Sequence, residues 1–103
     1  MLDEFAVRVD GGADTATVAV IGVVDLDTGN RLFDAIAAVL GRDGLRRVEV
    51  DLGAVTMLDA AGVGVLLAAR NRARTVGVRF RVSNLSEPAR EVLKIVGLLG
   101  IAA

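Results

Sequence analysis

Cysteine and histidine are both absent from this 103-residue chain. Their absence excludes disulfide frameworks, thiolate chemistry, the usual zinc sites and any nucleophile that depends on a Ser-His or Cys-His pair. Proline occurs once, as Pro88. No apolar run approaches the ~20 residues that span a bilayer, so direct membrane insertion is not expected. Met1-Leu2-Asp3-Glu4 is acidic and lacks the basic start of a signal peptide, so a cytoplasmic location is expected. The formal net charge is −1, which argues against a nucleic-acid binder that works by neutralising phosphates. Eleven arginines stand against one lysine, a bias that reads as composition rather than as a binding code.

What is present is a chain that is 53% hydrophobic, which argues against disorder. The length predicts one domain over residues 1–103. A domain of this size buries roughly 60–70% of the surface its unfolded chain exposes, enough for one core.

Phe5–Asp10 alternates apolar and polar residues and is predicted to be a strand. Gly11-Gly12-Ala13-Asp14 reads as a turn, and the β-branched segment Thr15–Gly22 as its hairpin partner. A helix is predicted to begin near Thr28, with Asp27 or Thr28 as N-cap. Leu32, Ile36, Val39 and Leu40 fall on one helical stripe, and Gly41 follows as C-cap. In Arg47–Leu52, Val48, Val50 and Leu52 face one way; Arg47, Glu49 and Asp51 face the other. A junction follows, then a second helix to about Val76, closed by Gly77. Val78–Ser83 is a fourth alternating strand. Ser86 is predicted to cap a last helix, with Pro88 in the first turn, where a missing N–H does no harm. Val92, Leu93 and Val96 form its apolar stripe and Gly97 ends it. Leu98-Leu99-Gly100-Ile101 is expected to pack on the domain.

The order is β-β-α-β-α-β-α. Clean alternation gives the sheet one core face and one wet face, so all helices should lie on one side. The unit from Val48 to Val82 should be a right-handed parallel crossover. On the wet face, Glu49 and Asp51 are positioned to pair with Arg79 and Arg81. The fold class is α/β, with a four- to five-stranded mixed sheet.

The segment Val55–Gly64 carries the most information. Asp59 stands just before a helix, where a carboxylate accepts the free N–H groups of the first turn. Gly62 and Gly64 each cost the helix about 1 kcal/mol against alanine, which calls for a reason: close packing on the sheet, or close approach from outside. Gly62-Val63-Gly64 has no following lysine, so it is not a P-loop. Asp25 also follows a strand and precedes a helix, so topology brings it to the same sheet end as Asp59. With no histidine and no nucleophile nearby, the two acids do not make a catalytic pair.

In this order the residues resemble the STAS domain (sulfate transporter and anti-sigma factor antagonist), in particular the stand-alone bacterial anti-sigma factor antagonists. The resemblance rests on Gly22-Val23-Val24-Asp25, on Val48-Glu49-Val50-Asp51-Leu52, and on Leu58-Asp59-Ala60-Ala61-Gly62-Val63-Gly64. Asn84 after the fourth strand and Gly97-Leu98 near the end also fit. It covers nearly the whole chain.

The resemblance implies a binding module in transcription signalling, not an enzyme, with neither cofactor nor metal. Its partner would be an anti-sigma factor, a serine-protein kinase of the histidine-kinase-like ATPase type. Asp25, Thr56, Asp59, Ala60, Ala61 and Gly62 would lie at the partner surface. In such antagonists a serine at this turn is phosphorylated, which adds about −1.5 to −2 charges beside an aspartate and ejects the protein. Here Ala60 and Ala61 fill both small positions, and alanine cannot accept phosphate. Either the protein is locked in its binding form, or it serves as a scaffold or small subunit, or it is a serine-to-alanine variant. Thr56 is the nearest remaining hydroxyl, a strand-end residue bonded to backbone or an alternative phosphoacceptor. Val23 replaces an acid common in the family pattern. The alternative function is a cytoplasmic accessory subunit of a membrane lipid or anion transporter. Oligomeric state is not specified.

Overall fold

The alternation in Thr15–Val24 decides the architecture. Ala16, Val18, Val20 and Val24 are buried, while Thr15, Thr17, Ala19, Ile21 and Val23 turn to the other face. A strand buried on one side calls for helices on that side alone. The computed structural model, which describes residues 5–97, has this form. Strands β1 (Phe5–Gly11) and β2 (Thr15–Val24) make an antiparallel hairpin with Phe5 opposite Gly22. Strand β2 pairs in parallel with β3 (Arg47–Leu58), and β3 in parallel with β4 (Arg79–Ser83). The sheet order is β1-β2-β3-β4. Helices α1 (Leu26–Leu40) and α2 (Ala60–Thr75) connect the parallel strands, and α3 (Glu87–Ile95) follows β4. Leu32 and Ile36 of α1, Leu66 of α2 and Leu93 of α3 join Val18, Val20, Val48, Val50 and Leu52 in one buried cluster.

Strand β3 is longer than the alternating segment Arg47–Leu52 predicts. Strand β2 offers partners as far as Val24, so pairing continues: Ile21 opposite Ala54, Gly22 opposite Val55, Val23 opposite Met57, Val24 opposite Leu58. Two register shifts absorb the extra residues of β3. Such bulges destroy the period of two that reveals a strand in sequence. Val55 and Leu58 stay buried, while Gly53, Ala54, Thr56 and Met57 turn outward. Residues 53–58 are therefore strand, not a tight junction.

The last helix also differs. Its buried residues are Ala89 and Leu93, one turn apart. Val96 is the C-cap and is 47% exposed, so it is not part of the stripe. The expected packing of Leu98–Ile101 falls outside the described residues.

On the outer face, Glu49 lies opposite Arg81 with a 3.8 Å ion pair. Exposed pairs of this kind contribute about 0–1 kcal/mol. Asp51 does not pair with an arginine as expected. Its carboxylate accepts from the Gly53 N–H at 2.8 Å and from Asn84 Nδ2 at 3.0 Å. Asn84 has φ +51, a left-handed conformation that asparagine tolerates better than most residues. Asp51 thus holds the corner that starts α3, because a fixed carboxylate answers a local N–H before a mobile arginine. Nor is the outer face uniformly wet: Ala6, Ile21, Val23, Ala54 and Met57 make it apolar toward the C-terminal ends of β2 and β3.

Candidate functional site

Val24 and Leu58 are register partners at the ends of β2 and β3. The next residues, Asp25 and Asp59, therefore begin two helices side by side. The Asp59 N–H donates to the Val24 carbonyl at 3.2 Å, tying one helix start to the other. The parallel sheet brings both acids to one end, as the topology predicts.

Helix α1 is capped by Asp25, not by Asp27 or Thr28. Asp25 Oδ1 accepts from the Thr28 N–H at 3.0 Å, and the Thr28 hydroxyl accepts from the Asp25 N–H at 2.9 Å. This is a capping box in which threonine takes the place of the usual Glu or Gln. The Thr28 hydroxyl proton is offered to the Val23 carbonyl at 2.7 Å and to Asp25 Oδ1 at 3.0 Å. Reciprocal bonds from one residue outweigh the propensity of Asp27 to cap.

These bonds hold the Asp25 carboxyl below its ordinary pKa, the Thr28 backbone N–H first and its hydroxyl second, with desolvation opposing. A lowered carboxylate pKa contributes stability that is present above the unfolded value and lost as pH falls through the folded one. The free energy of unfolding should therefore decline below about pH 4, the ordinary aspartate range. Asp25→Asn, which caps without titrating, should shed part of that decline in denaturant titrations from pH 6 to pH 3. Identical acid limbs would refute the assignment.

Asp59 caps α2: its Oδ1 accepts from the Gly62 N–H at 2.9 Å. Asp59→Ala should cost about 1 kcal/mol, read as a lower urea midpoint at unchanged slope.

Asp25, Leu26, Asp27, Asn30 and Asp59 line a depression of about 440 Å³ between the two helix starts. Its rim carries three carboxylates and no basic residue. Among the described residues, no group of three or more His, Cys, Asp or Glu side chains has the arrangement of a metal site. Around this rim the surface is apolar. Leu26 is 67% and Met57 48% exposed. Ala60 and Gly64 are exposed and Ala61 is half-buried.

The two glycines of α2 serve different ends. A Cβ on Gly62 would sit 2.6 Å from Leu58 Cδ1 and 2.7 Å from the Val24 carbonyl oxygen. Gly62 is therefore a packing residue, buried on the strand ends, rather than a contact for something outside. A Cβ on Gly64 would meet nothing within 4 Å.

Thr56 is exposed on β3, and among the described residues its hydroxyl makes no hydrogen bond, contrary to the expected backbone bond. Leu26, Asn30 and Met57 carry no mark of a surface role in the sequence. The Asp25-x-x-Thr28 spacing could have revealed the first cap. Nothing local marks Leu26 or Met57 as exposed, since apolar residues in such segments usually face a core.

At one end of this two-layer fold, two helix starts stand side by side, lined by three carboxylates and bordered by the exposed apolar side chains of Leu26 and Met57. The family follows from the comparison: a family model described as "Mlab, STAS domain" matches residues 7–102, and the chain belongs to the STAS domain family. The chain is similar to the Bacillus anti-sigma factor antagonist SpoIIAA in its unphosphorylated form, at 18% identity and TM-score 0.80, over 95% of this chain and 86% of that one. It is similar to an anti-sigma factor antagonist from Mycobacterium paratuberculosis at 25% identity and TM-score 0.82, over 96% and 83%. It shares its fold with part of the murine solute carrier 26 family member A9 anion transporter, at 16% identity and TM-score 0.72, over 84% of this chain and 14% of that one.

Proposed function

We propose that the paired helix starts form a docking surface that sequesters an anti-sigma factor, and that this surface is not switched by phosphorylation at the start of α2. The observation that carries the reading is the uncharged Ala60-Ala61 pair, Ala60 exposed and Ala61 half-buried, beside the capping carboxylate of Asp59. Small side chains let a partner approach the helix closely. Leu26 and Met57 offer apolar area for burial, and Asp25, Asp27 and Asp59 offer acceptors to a basic partner. Asp25, Thr56, Asp59, Ala60 and Ala61 belong to this surface; Gly62 supports it from beneath. The likeness to two anti-sigma factor antagonists supports the partner class. The protein acts by binding and performs no catalysis itself. It works in the cytoplasm, as one domain over residues 1–103. The partner is a serine-protein kinase of the histidine-kinase-like ATPase type.

Calorimetric titration with the host's anti-sigma factors tests the reading. Binding at micromolar affinity or tighter is expected, and ATP should leave the complex intact. Absence of binding to all of them would overturn the proposal, whereas ATP-dependent release would move the switch to another hydroxyl, Thr56 first.

A second reading, a subunit or module attached to a membrane transporter, draws support from the fold likeness to part of an anion transporter. Co-purification with a transport ATPase or permease rather than with a sigma-factor regulator would favour it.

A further inference from the structure

We infer that the opposite end of the sheet carries a second site, one that takes a phosphate-bearing anion between Arg47 and Arg79. These two residues open adjacent parallel strands, lie directly opposite one another in register and point to the outer face. Like charges placed so are unfavourable. The next rung down the same strands is a matched pair, Glu49 and Arg81, with a 3.8 Å contact. The sheet therefore pairs opposite charges on one rung and like charges on the next.

Among the described residues, no carboxylate lies within 4.0 Å of the Arg46, Arg47 or Arg79 guanidinium. Thr15 is the register partner of Arg47 on β2, so a hydroxyl continues the rung. Arg46 flanks it, and the group surrounds a depression of about 440 Å³ that also includes Asp14. The main chain beneath is fixed. The Arg46 and Arg47 N–H groups donate to the Asp14 carbonyl at 2.7 and 3.2 Å, and the Arg79 N–H donates to the Arg46 carbonyl at 3.0 Å. Guanidinium is the planar fork suited to phosphate oxygens, and three arginines line this depression on a main chain held by these bonds. The chain as a whole has a formal charge of −1, so this excess of positive charge is local. It faces away from the acidic docking end, because β2 and β3 run from one to the other.

A bound phosphate would neutralise the Arg47–Arg79 repulsion, so occupancy and stability are linked. In amide-resolved NMR titration with pyrophosphate, the signals of Thr15, Arg47 and Arg79 should shift and saturate. In R47Q/R79Q the apparent Kd should rise at least tenfold. Without pyrophosphate, R79Q should melt no lower than the parent, because a repulsion has been removed. With saturating pyrophosphate the parent should melt higher than R79Q. Sedimentation with phosphatidylglycerol vesicles, against phosphatidylcholine vesicles, assigns the source. Binding lost in R47Q/R79Q indicates a lipid headgroup; saturation by pyrophosphate without vesicle binding indicates a soluble phosphate. Linear, unsaturable shifts together with no vesicle binding would overturn the site, as would equal response in the double variant.

Discussion

Ala60→Asp and Ala61→Asp should each weaken anti-sigma factor binding by two orders of magnitude or more while leaving the fold as stable or more so. The two effects separate because they arise from different fields. Both residues lie in the first turn of α2, after the Asp59 cap. A carboxylate there faces the unsatisfied N–H groups of the helix start and contributes about 0.3–1 kcal/mol of stability. At the docking surface the same charge adds to Asp59, Asp25 and Asp27, on a rim with no basic residue. Like charge enclosed at an interface costs several kcal/mol, and about 1.4 kcal/mol is a factor of ten in Kd. Calorimetry of each variant with the anti-sigma factor, beside its urea unfolding curve, checks both halves. A variant that unfolds as the parent and binds as the parent would remove this turn from the interface. Ala61→Ser completes the set. If the cognate kinase phosphorylates it and releases it, the surface retains the geometry of a phosphorylatable turn and lacks only the acceptor.

Gly62→Ala and Gly64→Ala should change stability in opposite directions, although both put the better helix former two residues apart in the same helix. The propensity gain is about 1 kcal/mol in each case. At Gly64 nothing opposes it, because the added methyl points into open space. At Gly62 the methyl would sit 2.6 Å from Leu58 Cδ1, 2.7 Å from the Val24 carbonyl and 2.9 Å from Val24 Cγ1. Leu58 can turn aside; the carbonyl cannot, because it holds the Asp59 N–H. Overpacking of this kind typically costs about 1–3 kcal/mol. A net loss of up to about 2 kcal/mol is expected after the propensity gain is subtracted. Denaturant midpoints for the two variants decide the matter, and a stabilised Gly62→Ala would show that α2 stands off the sheet. Gly64→Ala should also reduce partner affinity, since a helix that forgoes alanine at an open position leaves room for a partner's backbone.

The docking end and the basic rung lie at opposite ends of the same strands. A partner docked at Asp25 and Asp59, as proposed, would therefore leave Arg47 and Arg79 accessible. Binding of a macromolecule and of an anion should then be independent, and the two affinities can be measured separately.

Much of this was legible in the chain itself. The one-sided alternation of Thr15–Val24 and Arg47–Leu52 required helices on a single face. The spacing of Leu32, Ile36 and Val39 located α1. Asp25 and Asp59, each placed between an apolar strand and a helical stripe, marked the shared end, and Ala60 and Ala61 showed that the turn carries no hydroxyl of its own. These are properties of single segments, and local periodicity and residue chemistry suffice to state them.

The tertiary structure decided what depends on a neighbour. The extension of β3 to Leu58 is invisible in its own pattern, because it is imposed by the length of β2 and accommodated by bulges. Asp51 was matched to arginines by strand order but is taken by Gly53 and Asn84, since a corner closes across 33 residues of sequence. Gly62 and Gly64 look alike in the chain and differ only in what lies above them. Arg47 and Arg79 are unremarkable on their own strands; they become a site only when parallel pairing sets them side by side. In each case the deciding quantity is the distance between atoms far apart in the chain, which folding fixes and local sequence does not.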